Sequence, residues 1–143
     1  MFSHSAHKSW LKVSAIVIGG FGPFLTLATI PGGTEPARFV MDILTWPMDG
    51  FPDYQSDEIR FLSALAGGFL MGWAVTIWVL STLAYDRAPE AVRKSLVYGA
   101  LTWFVFDSLG SITSGNWSNA VFNIAVLLLV VGPMWTPAHD TTG

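Results

Sequence analysis

Charged residues fall in clusters along this chain, and the stretches between them are long enough to cross a membrane. A helix spanning a hydrocarbon layer of ~30 Å needs about 20 apolar residues at ~1.5 Å each. Positions 13–30 hold no Asp, Glu, Lys or Arg and run into Pro31, Gly32 and Gly33, a helix-breaking sequence. Positions 61–85 are likewise uncharged and are followed by Asp86 and Arg87. Positions 95–113 are apolar except for Asp107. Positions 108–139 contain no acid, Lys or Arg, but Gly115, Asn116, Ser118 and Asn119 interrupt them in the manner of a tight turn. The pattern predicts an all-α integral-membrane four-helix bundle, one domain over 1–143, with spans near 13–30, 60–84, 95–113 and 120–135. An even number of spans puts both termini on one side.

The basic residues set the orientation. Lys8, Lys12, Arg87, Arg93 and Lys94 fall on one side, and Arg38 and Arg60 on the other. This bias places both termini in the cytoplasm, with Trp10 and Trp135 at the inner interface and Trp117 at the outer one. Lys8 and Lys12 could also open a signal peptide. The apolar stretch is long for that role, however, and no small-x-small cleavage site precedes Pro31, so it reads as a retained span. The outer loop, 31–58, carries Glu35, Asp42, Asp49, Asp53, Asp57 and Glu58. Within it Thr34 reads as an N-cap with Pro36 in the first turn. Positions 37–46 set Phe39, Val40, Ile43, Leu44 and Trp46 among polar neighbours as a short amphipathic helix in the outer interface would, with Arg38 and Asp42 spaced for an i,i+4 pair. Pro47, Gly50 and Pro52 end it. On the cytoplasmic side, Pro89 and Glu90 mark the start of the third long helix.

Composition narrows the function classes. Only 12% of the 143 residues are charged against 52% hydrophobic, and mean hydropathy is +0.50. The net charge of −3 leaves no basic excess for nucleic-acid phosphates. The absence of cysteine removes disulfides, thiolate metal sites and cysteine nucleophiles.

Asp107 is the residue that most needs an explanation, because an ionised carboxylate within hydrocarbon costs about 2.5–3.5 kcal/mol on insertion scales. Gly110, Ser111 and Ser114 share its helix face, so it is expected to point into the bundle. Arg60 opens the second span from the same outer side, and Ala64, Gly67, Gly68 and Met71 follow on its face. Ala64, Gly68 and Gly72 form a small-xxx-small stripe, a seam on which the third helix could pack. That packing would pair Arg60 with Asp107. Asn119 and Asn123 stand four apart at the same level on the last helix. The ligand-site candidates are therefore Arg60, Asp107, Ser111, Asn119 and Asn123, with Asp57, Glu58, Ser114 and Asn116 close by. A polar clamp that sets helix register is the plainer reading of this cluster, and an outward-open site for an ion, lipid or quinone head group is the sharper one.

Other residues carry less. His4 and His7, with His139 and Asp140, could ligate zinc, but both segments read as solvated tails, and no metal site is assigned. No histidine falls within a span, which argues against bis-histidine haem ligation. Pro23, beside Gly19, Gly20 and Gly22, should kink the first helix. Trp73, Trp78 and Trp103 read as space-filling residues. G-x-S-x-G, P-loop and H-E-x-x-H patterns are missing, and no catalytic residue or cofactor follows from the sequence.

Arg60 with Gly67-Gly68, Asp107-Ser108 with Gly115, and Asn123 together resemble small bacterial four-helix integral-membrane proteins of uncharacterised function. The resemblance covers 58–135 and implies the topology and a bacterial inner membrane. The expectation is a non-catalytic membrane protein, an accessory subunit of a complex or a homo-oligomer. Its partners would be the lipid bilayer and other membrane subunits or a second copy, not nucleic acid. The alternative is an ion-, lipid- or quinone-type ligand-binding or transport protein working through Arg60 and Asp107.

Overall fold

A helix that keeps small residues at every third or fourth position can lie closer to a neighbour than side chains usually permit, and the first and third helices of this protein do so. The computed structural model describes residues 2–50 and 54–138; Pro52, Asp53, His139 and Asp140 lie outside them. Five α-helices follow in order: α1 (His4–Thr26), α2 (Thr34–Thr45), α3 (Asp57–Val79), α4 (Pro89–Thr113) and α5 (Trp117–Val131). Short 3-10 turns extend α1 through Thr29 and α5 through Trp135, and a single π turn, Leu80–Ala84, ends α3. No strand occurs among the described residues. Four of the helices are long and apolar enough to cross a membrane.

α1 and α3 form the tightest pair. Their buried faces are Leu11, Ala15, Ile18, Gly22 and Leu25 on one side, and Ser63, Gly67, Ala74 and Ile77 on the other. A Cβ placed on Gly67 would lie 2.6 Å from the Gly22 carbonyl oxygen and 2.6 Å from Thr26 Oγ1, so the seam needs glycine there. Ser63 Oγ donates to the Leu25 carbonyl at 3.0 Å and closes the outer end of the pair. The stripe expected to form the seam lies elsewhere: Gly68 and Gly72 face outwards, and a Cβ added at either would meet nothing within 4 Å. Their neighbour Gly67 does the packing because the buried face of α3 passes one residue to the side of the stripe.

α4 and α5 form the second pair. α3 and α4 are neighbours in sequence yet scarcely touch except near the π turn. α1 joins the pairs, with Ser14 Oγ donating to the Val130 carbonyl at 2.6 Å and Trp10 Nε1 to the Leu129 carbonyl at 3.0 Å. The Trp10 ring lies so close to Gly132, whose φ is +46°, that no side chain fits there. α1 also starts well before position 13: Ser3 Oγ caps it, accepting from the Ala6 amide at 3.2 Å. His4 and His7 are therefore helical, and His7 is fully buried rather than part of a solvated tail. α1 stays helical through Pro23.

α2 begins at Thr34 itself, with Gly33 as its N-cap and no side-chain cap bond. Arg38 pairs with Glu35 instead of Asp42, and Asp42 Oδ2 accepts the Gly50 amide at 3.1 Å. Closing the loop back onto α2 uses Asp42, which leaves Arg38 to the nearer acid. Ala37 packs with Ala28 and Tyr54, and Ser118 Oγ donates to the Leu44 carbonyl at 2.9 Å, so α2 sits across the outer ends of the long helices.

At the opposite end, Lys8 and His4 both reach Asp86 in the α3–α4 turn. The Lys8 ammonium and then the His4 ring hold the Asp86 carboxyl below its ordinary range. Stability from a depressed carboxylate is fully present above the ordinary value and is lost as pH falls through the depressed one. Acidifying from about pH 5 to pH 3 should therefore lower the melting temperature of the wild type more than that of Asp86→Asn. Equal slopes for the two proteins would show that the tie contributes nothing.

Candidate functional site

The gap between the helix pairs is occupied by a cavity of about 610 Å³ in the half of the protein capped by α2. That volume falls within the range of small-molecule sites, roughly 300–1,000 Å³. α1 and α5 form the back wall, α2 forms the outer ceiling through Val40, Met41 and Leu44, and α3 and α4 form the sides. Trp73 and Trp103, ring centroids 6.4 Å apart, meet at the inner end. Phe69 of α3 and Phe106 of α4 line the cavity and are also 71% and 70% exposed, which marks the opening as a lateral slot between these two helices. Phe21 and Phe122, in edge-to-face contact at 6.5 Å, back the slot.

One wall is polar, and it is built by the facing sides of α4 and α5. Asp107, Ser108 and Ser111 repeat along α4, while Asn119 and Asn123 repeat along the antiparallel α5. Both asparagine amides donate to Asp107 Oδ2, Asn119 at 2.9 Å and Asn123 at 2.7 Å. The second amide hydrogens go to Ser111 Oγ at 2.7 Å and Ser108 Oγ at 3.1 Å. Turning either amide over would set its carbonyl against the carboxylate oxygen, so the donor direction follows from the charge. Ser111 in turn donates to the Asp107 carbonyl at 2.7 Å. Asn123 is buried, whereas Asp107 and Asn119 are partly open to the cavity.

The structure thus brings together Asp107, Ser111, Asn119 and Asn123. It does not bring Arg60 to them. The Arg60 guanidinium pairs with Asp57 one turn away at the start of α3, and Arg60 does not line the cavity. The Arg60–Asp107 pair required α3 and α4 to pack closely, and the slot between them prevents it. Gly68 and Gly72 of the small-residue stripe likewise meet nothing of α4. Asn116 and Ser114 lie at the outer edge of the cavity, and Asp57 and Glu58 lie away from it.

The aromatic walls carry no clear mark in the sequence as site residues. Trp73 and Trp103, expected to fill space, stand instead at the end of open space. The available signal is Trp103, four residues before Asp107 and so one turn below it on the same face. Trp78 is different: it lies largely outside the core, with Lys12 Nζ 5.7 Å from its ring.

A smaller chamber, about 280 Å³, lies at the inner end between His4, His7, Tyr85, Glu90 and Arg93. There Arg93 makes a two-point pair with Glu90 and donates to the Met134 carbonyl at 2.6 Å. The Tyr85 hydroxyl is buried with no hydrogen-bond partner among the described residues, and the buried His7 ring lies near the Pro133 backbone. No three acids and histidines gather in metal-binding geometry among the described residues. No protein-family model, curated protein or solved structure matches this chain.

Proposed function

We propose that this is a multi-pass membrane protein that takes a single amphiphilic molecule from the outer half of the bilayer into the slot between α3 and α4. The observation that carries this reading is the cavity itself, with aromatic walls, a mouth between the exposed Phe69 and Phe106 and one polar wall at Asp107. An amphiphile entering sideways would keep its chain among Phe69, Phe106 and the two indoles while its head reached the α4–α5 polar wall. The site has no evident nucleophile or acid–base pair beyond one carboxylate, so binding is favoured over catalysis.

The proposed setting is a bacterial inner membrane with both termini cytoplasmic. Lys8, Arg87, Arg93 and Lys94 at one end support that orientation under the positive-inside rule. α2 would lie in the outer interface, with Phe39, Ile43 and Trp46 exposed on it. A second reading, a homo-oligomer or an accessory subunit, is favoured by the outward-facing Gly68 and Gly72, since small residues let another helix approach closely.

Thermal unfolding in maltoside detergent tests the slot. Gly110 lines the cavity and has nothing within 4 Å of its Cβ position, so the side chain of Gly110→Phe starts in open space and is expected to fill the slot. A ligand at 100 times its Kd stabilises the folded state by about 2.7 kcal/mol. At least one of dodecylamine, dodecanol and dodecanoate should raise the melting temperature of the wild type and leave Gly110→Phe unmoved. Identical responses of the two proteins to all three would sink the proposal.

A further inference from the structure

Apart from Asn116 at its edge, the donors that the polar wall turns to the cavity are engaged; Ser108, which accepts from Asn123, does not line it. The Ser111 and Ser114 hydroxyls donate to backbone carbonyls, as does that of Thr45 in the ceiling. Both hydrogens of the Asn119 amide and both of the Asn123 amide are engaged. What this wall can still offer a ligand are acceptors: Asp107 Oδ1 and the two asparagine carbonyl oxygens. Asn116, with one hydrogen on Ser114, stands at the outer edge, and the indoles stand at the apolar end.

The carboxylate also has no cation among the described residues. Lys8 is taken by Asp86, Arg38 by Glu35, Arg60 by Asp57, and Arg93 and Lys94 by Glu90, while Lys12 lies over Trp78. Arg87 belongs to the inner turn, at the far end of α4 from Asp107. A charge away from water ordinarily has a partner. Here the two amides disperse it, but nothing neutralises it.

We infer, resting on the amphiphile reading above, that the slot selects a primary ammonium head group. The acceptors on this wall suit the N–H donors of an ammonium, and the ion supplies the positive charge that the Asp107 carboxylate otherwise goes without. Phe106 and Phe122 also line the cavity, and an aromatic ring beside an ammonium favours it. A quinone or a carboxylate head would present acceptors to acceptors, and a hydroxyl head would satisfy only one of them.

The chain-matched series separates this inference from the reading it rests on. The wild type should bind dodecylamine at neutral pH about tenfold or more tightly than dodecanol, with dodecanoate weakest. Asp107→Asn keeps the shape and removes the charge, and it should lose the amine preference while retaining dodecanol. If Asp107→Asn proves unstable, dodecyltrimethylammonium provides the second measurement on the wild type: a head with the charge but no N–H donor should bind more weakly than dodecylamine, and equal affinity would overturn the ammonium assignment. Equal affinity for the three heads, abolished by Gly110→Phe, would overturn the ammonium assignment and leave the slot standing. No response distinguishable from that of Gly110→Phe would overturn both.

Discussion

Replacing Gly67 by leucine is expected to lower the melting temperature of the detergent-solubilised protein by roughly 10 °C, the equivalent of about 3 kcal/mol. The first carbon of any side chain at Gly67 would collide with a carbonyl oxygen of α1, and backbone cannot rotate aside as a side-chain tip can. α1 and α3 would have to separate, which would break the Ser63–Leu25 tie and loosen the face from Leu11 to Leu25. Gly68→Leu is the control. It adds the same volume one residue along, where nothing lies within 4 Å, and it should leave the melting temperature within about 2 °C. Gly68→Leu also probes the oligomer reading, because a helix docked on that stripe would be displaced and the particle in detergent would become smaller. Similar losses for both variants would remove the Gly22–Gly67 seam from the account.

The second large effect belongs to the α4–α5 clamp. Asp107→Leu removes the acceptor shared by two amides and should cost about 1–3 kcal/mol. Asn123→Leu alone leaves the carboxylate with a single amide donor and should cost a similar amount. The double variant replaces both partners by apolar groups, so it should lose less than the sum of the two, with a coupling of about 1 kcal/mol. Strict additivity in chemical or thermal unfolding would mean that the two side chains do not act together. Stability and ligand preference are separate readouts, and Asp107 is expected to move both.

Much of this arrangement can be read from the sequence because charge is scarce. The spacing of Lys8, Arg60, Asp86 and Glu90 marks the ends of the long helices, and the i,i+4 repeats of Asp107 with Ser111 and of Asn119 with Asn123 put each pair on one helix face. Antiparallel pairing of consecutive helices then brings those faces together with little ambiguity. Which helices touch is harder to read. Gly67 and Gly68 are adjacent small residues, and a rotation of about 100° decides which one meets a neighbour. The repeat at Ala64, Gly68 and Gly72 is the more conspicuous pattern, but the decisive contact is a backbone fit between Gly22 and Gly67. The Arg60–Asp107 pair fails for the same reason: it presumes that helices joined by a short turn also pack side by side. Local competition does the rest, since Asp57 lies within one turn of Arg60 and Glu35 within one turn of Arg38, and a nearby partner needs no particular tertiary arrangement.

The weak contact between α3 and α4 has a further consequence for the bilayer. α4 and α5 are tied to each other along the polar wall and to the rest of the chain through α1, the α3–α4 turn and the Ser118–Leu44 bond to α2. A small swing of that hairpin about the end that carries the α3–α4 turn, with the Ser118–Leu44 bond released, would widen the slot and enlarge the protein's cross-section beside α2, while the other end would change little. Lateral pressure among the acyl chains at that level would oppose the swing, and lipids that relax that pressure would ease it. Occupancy of the slot would then follow the packing of the surrounding leaflet as well as the concentration of the molecule that fills it.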